Sequence, residues 1–157
     1  MKRTGLLILS GIILIVLLAI LFIGRAAEAP QSENSPFLTL QVGDASLSVE
    51  VVTSASDLQK GLGGRTSIGD ADGMLFVFPK ENYYGFWMED MQFAIDIIWI
   101  TGEGSVVYIA DNVTPESYPH VYKPASPALY VLEVPAGDAA RFNIATATDI
   151  TIPHISR

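Results

Sequence analysis

The chain has 157 residues, half of them hydrophobic, with no cysteine and a formal net charge of −8. The absence of cysteine excludes disulfides, thiol catalysis, thiolate metal sites and a lipidated cysteine anchor. An acidic surface repels phosphate backbones and anionic headgroups, so nucleic acid is not an expected partner.

The first predicted element is an uncharged apolar run at residues 5–23. As a helix it would span about 28 Å, close to the thickness of the hydrocarbon core of a bilayer. Lys2 and Arg3 outweigh Arg25, so the positive-inside rule predicts a single span with a cytoplasmic N-terminus. The alternative is a secretory signal cleaved after the A-x-A sequence at residues 27–29. The run exceeds the usual signal length of about 7–15 apolar residues, which favours the anchor.

Three parts of the chain follow from this pattern: a transmembrane anchor at residues 1–25, a flexible stalk at 26–36 and an extracytoplasmic β domain at 37–157. The stalk, AAEAPQSENSP, is small and polar and contains two prolines. From residue 30 onward sixteen acidic residues oppose six basic ones. The predicted partners are the membrane, through residues 5–23, and an unknown small polar ligand or protein.

Short strands dominate the predicted domain. Ser54 or Ser56 can cap a short helix at residues 57–60, and a second brief helix begins near residue 138. This content predicts a mainly β fold, an antiparallel sandwich or a partly closed barrel with one or two short helices. The predicted strands are residues 37–42, 46–53, 73–78, 84–88, 94–101, 105–110, 129–134 and 150–152.

One predicted connection, at residues 111–127, is unusually long. It has seventeen residues and four prolines, without a hydrophobic period. Loops longer than about 12–15 residues are usually functional or disordered. The prolines predict a stiff loop.

Two carboxylates interrupt apolar strands. Alternation in the strand at 94–101 places Asp96 on an otherwise apolar face, and alternation at 129–134 does the same for Glu133. The structural interpretation is that Asp96 accepts backbone N–H bonds, caps a turn or pairs with Arg65, while Glu133 lies near solvent at a strand end. The functional interpretation is that both acids line one pocket and bind a polar ligand or a cation.

The predicted cleft also contains side chains from other segments. Arg65 follows a glycine-rich tract that lets its guanidinium approach a carboxylate closely, and aromatic residues near a strand end offer a pocket wall. The chain shows no complete catalytic set, and its two histidines lack partners at metal-ligand spacing, so no metal and no cofactor are predicted. The candidate cleft residues are Arg65, Trp87, Met88, Asp96, Tyr122 and Glu133.

Three ordered motifs resemble a known family. They are GMLFVFP at residues 73–79, FWM followed by IDII at 86–98, and YVLEVPAG at 130–137. Together they resemble the domain of unknown function 192 family over residues 38–152. The resemblance implies a compact, mainly β domain that is often secreted or membrane-tethered, and it brings no biochemical activity. The chain departs from the family where it has Glu89-Asp90-Met91 in place of the common Lys-Asn-Thr.

Three functional hypotheses follow. The first is a membrane-anchored binding or accessory module with a small cleft. The second is a hydrolase that uses Asp96 and Glu133 as acid and base, which requires both carboxyl groups beside one open cleft. The third is a protein-interaction domain without a ligand pocket, marked by a contiguous exposed apolar patch.

Overall fold

The computed structural model describes residues 37–155. Within that range no helix is long and apolar enough to cross a membrane, and the predicted span at 5–23 and stalk at 26–36 lie outside it. The described residues form seven strands, two short α-helices and a 3-10 turn at Pro115–Ser117. In chain order the elements are β1 (Leu38–Val42), β2 (Ala45–Val52), α1 (Ala55–Lys60), β3 (Gly73–Asn82), β4 (Ile95–Ile100), β5 (Val106–Val113), β6 (Ala128–Pro135), α2 (Asp138–Arg141) and β7 (Ile150–Thr151).

These strands form one sheet in the order β5-β4-β6-β3-β2-β1-β7. Most neighbours are antiparallel, but β2 and β3 pair in parallel, so the sheet is mixed and not purely antiparallel. The reason lies in the connection at residues 53–72, which contains α1. A connection of this length carries the chain back to the end at which β2 began, which a tight hairpin cannot do.

The sheet curls into a half-barrel, and its two edges meet at one end. Val106 donates its backbone N–H to Thr148, at 2.9 Å, and Ile150 donates to Gly104, at 2.8 Å. Gly104 has a φ of +93°, and a Cβ there would collide with the carbonyl of Ile150. Of the two predicted architectures, the partly closed barrel with short helices is therefore the one observed.

The pairing between β4 and β6 decides which side chains share a face. Asp96 lies opposite Val134, and Ile97 lies opposite Glu133. Paired residues point to the same side of a sheet, so Asp96 and Glu133 point to opposite sides. We call these sides the Asp96 face and the Glu133 face. The core of the Asp96 face includes Leu75, Ile98, Ile100, Leu132 and Val134, and that of the Glu133 face includes Phe76, Ile95, Ile97, Trp99 and Val131.

Several element boundaries differ from the prediction. The segment at 84–88 is not a strand; it pairs only through a single bridge between Phe86 and Tyr122. Strand β3 does not stop at Pro79 but continues to Asn82, and its register with β6 shifts over this stretch, where proline lacks an N–H. Strand β5 takes in the first three residues of the predicted loop at 111–127.

Candidate functional site

Asp96 is a fully satisfied buried carboxylate. It is 2% exposed and accepts three backbone N–H bonds: from Asn112 at 2.7 Å, from Gly137 at 2.9 Å and from Ala139 at 3.0 Å. This agrees with the structural interpretation of Asp96 as an acceptor of backbone N–H bonds.

The local geometry explains why a carboxylate is needed there. Strand β5 carries a bulge opposite Asp96, because Ile95 pairs with Val113 while Ile97 pairs with Ala110. The bulge leaves the N–H of Asn112, a residue with φ of +49°, without a ladder partner other than Asp96. On its other side Asp96 caps α2, whose own N-cap residue is a glycine and supplies no side chain. The Asp96 side chain thus accepts the backbone N–H groups that the β5 bulge and the start of α2 leave without partners.

Arg65 does not pair with Asp96, contrary to one part of the structural interpretation. Its guanidinium makes a two-pronged ion pair with Glu50, at 2.8 and 2.9 Å. The hydrogen bond with Glu50 raises the pKa of Arg65. Both side chains are partly exposed, so this pair ties the turn after α1 to β2 at the surface of the domain.

The predicted cleft shared by Asp96 and Glu133 is not formed. The two carboxyl groups lie on opposite faces of the sheet, as the register of β4 and β6 requires. A pair of acids in glycoside hydrolysis must flank one bond, which this arrangement does not permit.

Glu133 is also buried, at 5% exposure, and does not lie near solvent as the structural interpretation expected. Among the described residues no group hydrogen-bonds to its Oε2 atom. Its neighbours across the sheet are Met74 on β3 and Ile97 on β4, which offer no donor side chain. Burial raises the pKa of the Glu133 carboxyl to about 8, so the group is protonated at neutral pH.

A cavity of about 690 Å³ opens over the Glu133 face. Glu133 lies in its wall together with two aromatic residues of β3 and three of the 83–94 segment that follows. Ligand pockets commonly have this size and combine apolar walls with few polar groups. The residues that line the cavity include Lys60, Gly61, Phe76, Phe78, Tyr84, Phe86, Trp87, Glu89, Asp90, Met91 and Gln92.

The aromatic wall is held by packing and by backbone bonds. Phe86 meets the ring of Phe76 edge-on, with centroids 4.9 Å apart, and the ring of Trp99 at 5.8 Å. Phe86 and Tyr122 exchange two backbone hydrogen bonds, at 2.9 and 2.8 Å. The Trp99 indole donates to the carbonyl of Tyr84 at 2.9 Å. The wall is therefore preformed.

The turn after α1 also lines the cavity. Gly64 donates its N–H to the carbonyl of Asp90, and the Gln92 amide donates to the carbonyl of Gly64. A Cβ on Gly61 would lie 3.0 Å from the Phe76 ring and 3.9 Å from Glu133 Oε2. Glycine at this position keeps the inner end of the cavity open.

The mouth of the cavity is acidic and aromatic. Trp87 is 46% exposed, and its indole donates to Glu89 at 3.2 Å. The Tyr118 hydroxyl donates to the same carboxylate, whose charge raises the pKa of Tyr118. Asp90 adds a second acid, and Lys60 contributes a positive charge.

The structure thus separates the six predicted cleft residues. Glu133 and Trp87 line the cavity. Arg65 pairs with Glu50, Met88 is buried in the core of the Glu133 face, and Asp96 supports the opposite face. Tyr122 packs against the core of the Glu133 face, and its backbone forms a bridge with Phe86.

Sequence reasoning missed three important lining residues. The sequence assigns Gly61 to the glycine-rich tract before Arg65, and it predicts that Phe76 and Phe86 lie in the strands at 73–78 and 84–88. The run of aromatics from Phe76 to Trp87 was the available signal, but a linear pattern does not separate a cavity wall from a packed core.

Comparisons with known proteins agree with this fold. The family profile described as DUF192, an uncharacterized ACR, matches residues 38–152, which confirms the resemblance found in the sequence. The crystal structure of a candidate transcription regulator from Sinorhizobium meliloti 1021 is 25% identical, with a TM-score of 0.67 over 74% of this chain and 92% of that chain. A protein of unknown function from Novosphingobium aromaticivorans DSM 12444 is 28% identical, with a TM-score of 0.65 over 81% and 94%. No curated protein is significantly similar.

Proposed function

The chain belongs to the DUF192 family, and from that premise we propose that its β domain is a binding module whose ligand occupies the cavity beside Glu133. The observation that carries the proposal is the Glu133 carboxyl, buried without a hydrogen-bond donor to Oε2 in the described residues. An unsatisfied buried polar atom costs about 1–3 kcal/mol. A site tolerates this cost when its ligand supplies the missing partner.

Binding is favoured over hydrolysis by the placement of the two buried acids. Asp96, the predicted partner of Glu133 in acid–base chemistry, already accepts three backbone N–H bonds on the opposite face. The preformed aromatic wall supports binding, since it offers apolar contact area without reorganisation of the free protein. The role in transcription that describes the Sinorhizobium protein is not extended to this domain, because its acidic balance repels nucleic acid.

We further propose that residues 5–23 anchor the module in a membrane with the domain on the extracytoplasmic side. The uncharged run and its basic flank at Lys2 and Arg3 support this. The test is fractionation of cells that express the full chain, followed by alkaline extraction and by protease treatment from outside. Release of the chain by alkali, or protection of the domain from the protease, would contradict the proposal.

The binding proposal is tested with the full-length chain in a neutral detergent, by thermal unfolding against a panel of small neutral, cationic and anionic compounds. A compound that binds the folded state raises Tm by mass action. We expect at least one compound to raise Tm.

The matched variants are Gly61→Ala and Gly43→Ala. Both positions have positive φ, so both substitutions strain the backbone, but only alanine at 61 places a methyl group against Phe76 and Glu133. The increase in Tm should be lost in Gly61→Ala and kept in Gly43→Ala. The binding proposal fails if no compound raises Tm, or if the increase survives in Gly61→Ala.

A further inference from the structure

We infer that the cavity selects a small amphipathic organic cation, a protonated amine whose N–H groups meet the Glu133 carboxylate while its apolar body lies against the aromatic wall. The inference rests on the proposed binding function and names the chemical class of its ligand. Three features of the described residues point to this class: the unpaired acid, the charge of the lining and the kind of apolar surface.

The unpaired acid requires a donor. Glu133 Oε2 faces the inner end of the cavity, near Gly61, and Met74 and Ile97 across the sheet provide no N–H or O–H side chain. A protonated amine brings up to three N–H donors and a positive charge. Charge-assisted hydrogen bonds of this kind are about twice as strong as neutral ones.

The charge of the lining disfavours anions. Lys60 is the cation among the cavity-lining residues that the structure describes, and it is opposed by Glu89, Asp90 and Glu133. With Glu133 ionised the lining carries more negative than positive charge. A ligand carboxylate or phosphate would meet like charge, whereas a cation would be attracted from the mouth inward.

The apolar surface is aromatic, which suits a cation better than an aliphatic surface does. Phe78 and Tyr84 stack with ring centroids 3.5 Å apart, and Phe76 and Phe86 stand edge to face beside them. Trp87 stands at the mouth, where a bound ligand would cover its exposed ring. Aromatic faces attract cations, with tryptophan the most favourable.

Binding of such a cation is coupled to a proton. The free carboxyl is protonated at neutral pH, and the ammonium stabilises the ionised form, so the Glu133 proton passes to the buffer as the ion pair forms. The titratable groups that share the cavity with Glu133 are Lys60 at the end of α1 and Tyr84, Glu89 and Asp90 in the 83–94 segment. The cross-strand neighbours of Glu133, Met74 on β3 and Ile97 on β4, do not titrate.

The test is calorimetric titration of the full-length chain in neutral detergent with three probes that share one body: phenethylamine, 2-phenylethanol and 3-phenylpropionate. The Gly61→Ala variant serves as the blank for partition into micelles. We expect the amine to bind at least tenfold more tightly than the alcohol and the anion. Its affinity should rise about tenfold from pH 7 to pH 9, because the ionised fraction of a carboxyl with a pKa of about 8 rises by that factor.

Two variants test whether Glu133 is the group that releases the proton on binding. Glu133→Gln should abolish the rise in affinity with pH, and Glu103→Gln, on the exposed turn between β4 and β5, should keep it. A rise that persists in Glu133→Gln overturns the inference. So does an alcohol or propionate that binds as tightly as the amine, although the cavity then still binds ligands and the proposed function stands. If none of the three probes binds while another compound raises Tm through the cavity, only the assignment to cations fails.

Discussion

The two faces of the sheet each bury one carboxyl group, and they treat it in opposite ways. On the Asp96 face the acid receives three backbone N–H bonds and joins a β-bulge to a helix start. On the Glu133 face Oε2 has no donor in the described residues and borders a cavity. The two acids are almost equally buried, so burial alone does not distinguish a structural acid from a site residue. The number of hydrogen bonds that each acid accepts distinguishes them.

The largest effect is expected at Asp96, the acid whose hydrogen bonds are complete. Asp96→Ala should lower the free energy of unfolding by about 3 kcal/mol, because three buried N–H groups lose their acceptor. Asp96→Asn is the matched control; it keeps one carbonyl acceptor and should cost roughly half as much. Urea denaturation of the full-length chain gives both values. A midpoint that is unchanged or higher at equal slope in Asp96→Ala would make Asp96 a site residue instead.

The next effect tests the unsatisfied side, and it depends on pH. The pKa of Glu133 is about 8 in the folded chain and has an ordinary value of 4.5. The folded state therefore keeps a proton that the unfolded chain loses, and stability falls as pH rises from about 4.5 to 8. Between pH 5 and pH 7 this loss should be about 2 kcal/mol after allowance for relaxation around the buried group.

Glu133→Gln isolates this loss, because it removes the titrating group and leaves all others. The difference in unfolding free energy between variant and wild type should grow in favour of the variant from pH 5 to pH 7. Urea denaturation at a series of pH values measures it. Parallel curves for the two proteins would show that Glu133 does not titrate in this window.

A smaller effect is expected at Arg65, which the sequence suggested as a partner of Asp96. Arg65→Met should cost about 0.5–1 kcal/mol, since its pair with Glu50 is partly exposed. Because the two sites share no partner, the double variant Arg65→Met/Asp96→Ala should show additive losses within about 0.5 kcal/mol. A larger coupling would place Arg65 in the hydrogen-bond network of Asp96 after all.

The smallest effect on stability is expected at Trp87. Trp87→Ala should change the free energy of unfolding by less than about 0.5 kcal/mol, because nearly half of the side chain is exposed. The same substitution should lower the affinity of the cavity for its ligand. Tyr83→Ala is the matched control, since Tyr83 is similarly exposed, at 53%, but lies outside the cavity lining. If the two variants bind the ligand with equal affinity, Trp87 is not part of the binding site.

Much of the fold could be predicted from local patterns. Alternation identified the residues of β4 and β6 that share a face within each strand, and the predicted cap Ser54 is the N-cap of α1. The predicted strand at 84–88 failed because its apolar residues pack as rings on a sheet face and pair only through Phe86. The apolar composition of this segment predicts that its side chains are buried. It does not distinguish residues that pack against a sheet face from residues that pair within the sheet.

The candidate site was predicted only in part, and register is the reason. Sequence by itself determined that Asp96 and Glu133 interrupt apolar faces and that the chain has the motifs of its family. Only the tertiary structure decided that these faces are opposite, because a shift of one residue between β4 and β6 would bring both acids to one side. It likewise decided that three distant N–H groups donate hydrogen bonds to Asp96 and that none of the described residues donates one to Glu133 Oε2. Those contacts join strands, turns and helices far apart in the chain, and no local preference specifies them.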